Sequence, residues 1–164
     1  DQIGVMHQGR LHQWDDAYQL YHRPATRFVA EFIGQGVFAP ARLSLQDGEV
    51  RVDTPLGLLN DVEECPLPSA YPDGLCEVLL RVDDIVHDDD APVQGRIVRM
   101  AFRGAEFLYT LELDSGETVM ALVPSHHRHE IGERIGLRAA VDHVVTFARG
   151  AGAAAAPADS SIRT

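Results

Sequence analysis

Gly95 to Pro124 read GRIVRMAFRGAEFLYTLELDSGETVMALVP, and the alternation inside this stretch decides the fold class. Phe107, Tyr109, Leu111 and Leu113 fall at every second position, Asp114-Ser115-Gly116 supplies a turn, and Val119, Ala121 and Val123 return with the same spacing. A period of two places these side chains on one face of an antiparallel hairpin. Working outward, ARLSLQDGEVRVD (41–53) is a second hairpin about Asp47-Gly48, with Leu45 opposite Val50, Leu43 opposite Val52, and Ser44 and Arg51 on the other face. LCEVLLRVDDIVHDDD (75–90) adds a strand that runs into carboxylates, and GERIGLRAAVDHVVTF (132–147) adds one or two closing strands. Many short strands punctuated by glycine favour a small Greek-key barrel over an open sheet, because closure removes exposed edges.

The bulk properties narrow the function. A formal charge of −11 opposes nucleic-acid backbones, whose affinity is built from Lys and Arg that displace counterions, so no nucleic-acid partner is expected. An OB-fold nucleic-acid binder would also need a basic, aromatic-studded strand face, which this chain lacks. No apolar run approaches the roughly eighteen residues of a membrane-spanning helix. Cys65 and Cys76 show no CxxC spacing, so free thiols are the expectation, with a single disulfide as the alternative.

The start of the chain reads differently. IGVMHQGRLHQW (3–14) is a hairpin whose loop, His7-Gln8-Gly9, uses Gly9 for positive φ. A lone two-stranded ribbon is marginal in water, so this one calls for further sheet or packing around it. Asp16 is placed to cap a short helix carrying Tyr18 and Tyr21. Phe28, Val29, Phe32 and Ile33 then recur at helical spacing, with Gly34 where a C-terminal cap glycine belongs. Those aromatics are read as core or docking contacts rather than a cofactor box. The stretch EECPLPSAYPDG (63–74) is a loop, and ARGAGAAAAPADSSIRT (148–164) has little to pack and is read as a disordered tail.

Chemistry-bearing clusters are few. The chain contains no GxxxxGK[ST], GxSxG or HExxH motif. PSHHRHEIGE (124–133) brings His126, His127 and His129 together; imidazoles suit zinc, copper or iron, while the plainer reading is a strand-to-strand loop with adventitious histidines. FRGAE (102–106) sets Arg103 and Glu106 about Gly104, either as a ligand or subunit contact or as a surface turn with a salt bridge. Asp88 to Asp90 are adjacent carboxylates that cannot easily converge on one ion and read as a solvated loop.

DQIGVMHQGRLHQWDDAYQLYHRPATRFVAEFIG (1–34) resembles the end of the nucleotide-binding domain in ATP-binding subunits of bacterial ABC importers. The family pattern there is approximately D-x-I-x-V-M-x-x-G-x-I-x-Q, a T-P-x-x-[IL]-Y helix, then R-P-x-[ST]-x-F-V-A-x-F-[IL]-G. Asp1, Ile3, Val5, Met6, Gly9, Gln13, Leu20, Tyr21, Pro24, Phe28, Val29, Ala30, Phe32 and Gly34 match, and Asp16-Ala17 replaces Thr-Pro. In that family an OB-like accessory barrel, the TOBE domain, follows, with a strand reading L-R-P-E-x-[IV]. LLRVDDIV (79–86) keeps Leu80, Arg81 and Ile85 but has Val82 for Pro and Asp83 for Glu. FRGAEFLYTLELDSGETVMALVPS (102–125) is similar to the ferric-iron importer branch.

The resemblance implies a mainly β chain: an OB-like (TOBE) small barrel preceded by a β-hairpin and two short helices from the end of an ATPase domain. The implied division is 1–35 for the end of the nucleotide-binding domain, 36–149 for the barrel and 150–164 for the tail. ATP and Mg2+ are implied for a full-length parent whose phosphate loop, signature motif, catalytic Glu and switch His lie upstream; no cofactor and no catalytic residue is expected in this stretch. The implied partners are a second copy, membrane permease subunits and, indirectly, a periplasmic substrate-binding protein, at the cytoplasmic face of the bacterial inner membrane. Arg81, Arg103, Glu106 and Tyr109 are the candidate ligand or dimer surface. The alternative function is a barrel that senses an oxyanion, sugar or metal for an importer of another substrate.

Overall fold

The computed structural model describes residues 1–59, 62 and 64–150. Strands β1 (Ile3–His7) and β2 (Arg10–Asp15) form a two-stranded hairpin, followed by helices α1 (Ala17–His22) and α2 (Arg27–Ile33). The loop is tighter than the sequence suggested: His7 pairs with Arg10, and Gln8 and Gly9 alone turn the chain at φ 48° and 75°. Two consecutive positive-φ residues match the right-handed twist of the flanking strands. Asp16 caps α1 through its carboxylate, which accepts from Gln19 N at 2.9 Å, and the Thr26 hydroxyl caps α2 by accepting from Val29 N at 3.2 Å. Val5, Leu20 and Val29 make a small core where the hairpin meets the helices.

The remaining strands are β3 (Gly36–Gln46), β4 (Glu49–Thr54), β5 (Gly57–Leu59), β6 (Leu75–Arg81), β7 (Ile85–His87), β8 (Gln94–Phe102), β9 (Glu106–Leu113), β10 (Thr118–Pro124), β11 (Arg134–Ala139) and β12 (Thr146–Ala148). They form two five-stranded sheets ordered β10-β9-β8-β11-β7 and β12-β6-β3-β4-β5. Leu122 N of β10 donates to Val82 O just beyond the end of β6, joining one sheet to the other, so that the two sheets curl into a nearly closed barrel; within the second sheet, Leu79 N donates to Val145 O and extends the β6–β12 pairing. The fold is mainly β and barrel-like, as expected.

The registers read from the sequence are present. Leu43 faces Val52 and Leu45 faces Val50 across β3 and β4; Leu111 faces Val119, and Tyr109 faces Ala121 across β9 and β10. Their inward faces make one core with Ile97 and Leu137, all of these but Leu45 and Val50 being buried. Leu45 is 60% exposed because it lies at the hairpin tip beyond the opposing sheet. Cys76, fully buried in this core, and Cys65, packed against it, are free thiols. Burial pushes the Cys76 thiol up to about 11, with Cys65 adding to the effect, so Cys76 packs as a small apolar side chain.

Two expectations about α2 need correction. Phe32, placed on the apolar stripe by its spacing, is 67% exposed; the buried residues of α2 are Val29 and Ala30. A helix of two turns has room for only a narrow contact stripe. Gly34 is not a left-handed cap: it is extended, at φ −162° and ψ 163°. Glycine is needed there because a Cβ would stand 2.7 Å from the Tyr21 ring and 3.3 Å from Arg81 Nη1. The tail expectation beyond residue 150 lies outside the described residues.

Candidate functional site

The last four carbonyls of any α-helix lack intrahelical donors and must find partners elsewhere. In this chain one cation from the barrel serves two helix ends. Arg81, the last residue of β6, turns its guanidinium under α1 and α2: Nη1 donates to Ala30 O and Gly34 O, both at 2.8 Å, and Nη2 donates to Tyr21 O at 3.1 Å. The guanidinium lies 4.5 Å from the centre of the Tyr21 ring, a cation–π contact. Arg81 is 3% exposed. Burial draws its pKa below the ordinary arginine value, while Tyr21, Asp84 and Asp83 act in the opposite sense. Guanidinium is the side chain suited to this position, since its fixed fork reaches several acceptors at once.

Further ties run across the same joint. Tyr21 Oη donates to Asp83 Oδ1 at 2.7 Å, and burial followed by this acidic partner pushes the phenol well above its usual value. Arg27 of α2 pairs with Glu77 of β6 and lies 3.8 Å over the Phe38 ring of β3. His143 Nε2 donates to His22 O at 2.8 Å, and Arg103 of the β8–β9 turn bonds Gln35. Helices and barrel are therefore held by a ring of charged and aromatic contacts. Their chemistry is mechanical: a displacement of α1 or α2 must either drag the barrel or break hydrogen bonds to a buried cation.

Asp84 closes the turn beneath this joint, its Oδ2 accepting from Arg81 N at 2.7 Å. Burial raises its pKa, outweighing the lowering effect of that backbone N–H. A carboxyl whose folded pKa lies above its unfolded value binds its proton more tightly when folded, so this group's contribution falls as pH rises from the ordinary carboxylate range through the raised value. Asp84→Asn keeps an oxygen for the Arg81 N–H and cannot ionise. Urea titrations should show it more stable than the parent chain at neutral pH, by less than about 1 kcal/mol, with the difference vanishing at acid pH. A deficit that grows toward neutrality would refute this account.

The residues named from the sequence do not share one face. Arg81 is the buried clamp, and Tyr109 is fully buried in the barrel, its hydroxyl accepting from His129 N at 3.0 Å. Arg103 and Glu106 are exposed at the β8–β9 turn, joined by a backbone bond from Arg103 N to Glu106 O at 2.8 Å. The salt bridge expected between them gives way to the Arg103–Gln35 contact, because the turn folds the arginine toward α2. His126 and His127 lie together on the β10–β11 loop at 4.4 Å between ring centroids, while His129 is tied to Glu133 at 2.8 Å. Among the described residues, no three His, Cys, Asp or Glu side chains are already placed to hold a metal ion. Arg27, Tyr21, His143 and Gly34 were missed as joint residues; Tyr21 and Gly34 stood in the matched pattern of residues 1–34, but no local periodicity says what a turn fifty residues away will donate to.

Residues 78–147 match the family model of the TOBE domain. The chain is 35% identical over 131 residues to the spermidine/putrescine import ATP-binding protein PotA 2 of Pseudomonas aeruginosa, covering 75% of this chain and 36% of the relative. It is 31% identical over 126 residues to the spermidine/putrescine import ATP-binding protein PotA of Marinobacter nauticus, covering 74% and 33%. It is 28% identical over 137 residues to the putrescine transport ATP-binding protein PotG of Escherichia coli, covering 79% and 36%. The chain thus spans about a third of the length of these relatives. They are named for polyamines, and the ferric-iron expectation finds no support among them. Residues 102–125 spell mostly the inward alternation that a hairpin in such a barrel requires, which carries no information about cargo.

Proposed function

We propose that this chain is the C-terminal part of the ATP-binding subunit of an ABC importer whose cargo is a polyamine, and that it acts as the regulatory and dimerising region of that subunit. The observation that carries the proposal is the match to spermidine/putrescine import ATP-binding proteins over 131 residues, together with the TOBE match at 78–147. In this reading residues 1–35 end the nucleotide-binding domain, 36–149 are the accessory barrel, and ATP with Mg2+ is bound and hydrolysed by the remainder of the longer parent chain.

The exposed face of the first hairpin supports the same reading. Met6, Leu11 and Trp14 are each more than half exposed, an apolar surface suited to burial against the rest of a larger domain. Two ATPase halves must meet to enclose nucleotide. A barrel clamped to each through Arg81, and paired with its counterpart, keeps them at high effective concentration after nucleotide leaves. The proposed partners are a second copy, the permease subunits and, through them, a periplasmic solute-binding protein, at the cytoplasmic face of the inner membrane. No helix among the described residues is long and apolar enough to cross a membrane.

The test uses the full parent subunit with its permease and binding protein in proteoliposomes. ATP hydrolysis and uptake of labelled putrescine or spermidine should be coupled, while Fe(III) presented in the same way should drive neither. Failure of both polyamines to stimulate hydrolysis overturns the cargo assignment, and a parent subunit that sediments as a monomer at high concentration overturns the dimer.

A further inference from the structure

The β10–β11 loop and β7 bring together a group of side chains that the joint does not use. His87 of β7 bonds Asp89 Oδ1 through Nε2 at 2.9 Å, and His129 bonds Glu133 Oε1 through Nδ1 at 2.8 Å. Both imidazoles are largely covered, at 12% and 17% side-chain exposure. Their ring centroids are 4.9 Å apart at an interplanar angle of 81°, and the His127 centroid is 6.4 Å from that of His87. The loop is seated by His129 N donating to the buried Tyr109 hydroxyl at 3.0 Å.

The remaining nitrogen of His129, Nε2, is buried and has no hydrogen-bond partner. A buried polar nitrogen without a partner is uncommon and marks a place where a water or an ion belongs. Its environment fits an ion, because a carboxylate on Nδ1 holds that proton and leaves Nε2 as a lone pair, the arrangement that orients metal-ligating histidines. Separation agrees: an ion about 2.0–2.1 Å from each of two ring nitrogens in tetrahedral geometry puts the two ring centroids roughly 5 Å apart.

We infer that His87 and His129 form the seed of a binding site for a divalent transition-metal ion of the zinc type, with Asp89 and Glu133 orienting the two rings and the exposed His127 turning in as third ligand. The three ligands do not yet surround a common point. The ion would complete the site by drawing His127 inward, and so pin the β10–β11 loop to β7. Imidazole ligands select zinc, copper or nickel over magnesium or calcium.

The experiment is isothermal titration of the chelator-stripped chain 1–164 with Zn2+, alongside Co2+ as a visible-absorption probe. One ion per chain is expected, with tetrahedral Co2+ bands. His87→Gln and His129→Gln should each weaken binding at least tenfold, Glu133→Gln should weaken it about tenfold, and His126→Gln should leave it unchanged. As a readout independent of the variants, the imidazole resonances of His87 and His129 in the parent chain should shift with one equivalent of Zn2+. No uptake at micromolar Zn2+ would mean that the two rings are edge-to-face packing alone and overturns the inference. Uptake that shifts only the His126 and His127 resonances, or that survives the His87/His129 double substitution, overturns it too.

Discussion

Arg81→Met should destabilise the chain by about 3 kcal/mol, one unit for each of the three backbone acceptors it leaves without a donor. Methionine matches the length of the stem but donates nothing to Ala30 O, Gly34 O or Tyr21 O, and among the described residues no other donor reaches these three carbonyls. Arg81→Lys should recover only part of the loss, because an ammonium cannot span two helix ends with a planar fork. Urea unfolding of the two variants gives the energies, and hydrogen exchange locates them: protection should drop first in α1 and α2, while the barrel strands hold. If Arg81→Met costs less than about 1 kcal/mol, or if protection is lost evenly, the clamp is not what joins the two parts.

Gly136→Ala should be as severe for a different reason. Gly136 lies in β11 between β8 and the end of β7, and a Cβ there would stand 2.0 Å from the backbone carbonyl oxygen of Asp88. That carbonyl cannot swing away freely, because Asp88 N donates to Gly136 O at 3.0 Å, so a methyl group must separate β7 from β11. Forced separation of packed strands costs about 3 kcal/mol or somewhat more, which for a chain of this size is a fall in melting temperature of roughly 10 °C. Calorimetry reads it directly. A melting temperature within about 2 °C of the parent chain would show that the two strands have slack that the structure does not display.

Much of the barrel was legible because a strand writes its orientation locally. Leu43, Leu45, Val50 and Val52 declare a face at every second residue, Asp47-Gly48 declares the two-residue turn, and the register follows from arithmetic. The capping of α1 by Asp16 was legible on the same grounds, since an N-cap acts on backbone groups only three residues away. Gly34 shows the limit of such reasoning. Its position after a helix suggested a cap, yet what demands glycine is the approach of Tyr21 and Arg81, one from a different helix and one from the barrel.

Local order in this chain, the strands, turns, helix starts and the inward faces of the barrel, is therefore written in spacing and turn chemistry, and needs only neighbours a few residues apart. Which arginine became a buried clamp depended on the docking of the barrel onto α1 and α2, and that His87 would meet His129 depended on β7 and β10, the two edges of one sheet, curling toward each other. An exposed arginine and a buried one have the same letter and the same near neighbours. The difference lies in where distant carbonyls come to rest, and a charge is drawn out of water only where such partners have already been assembled around it.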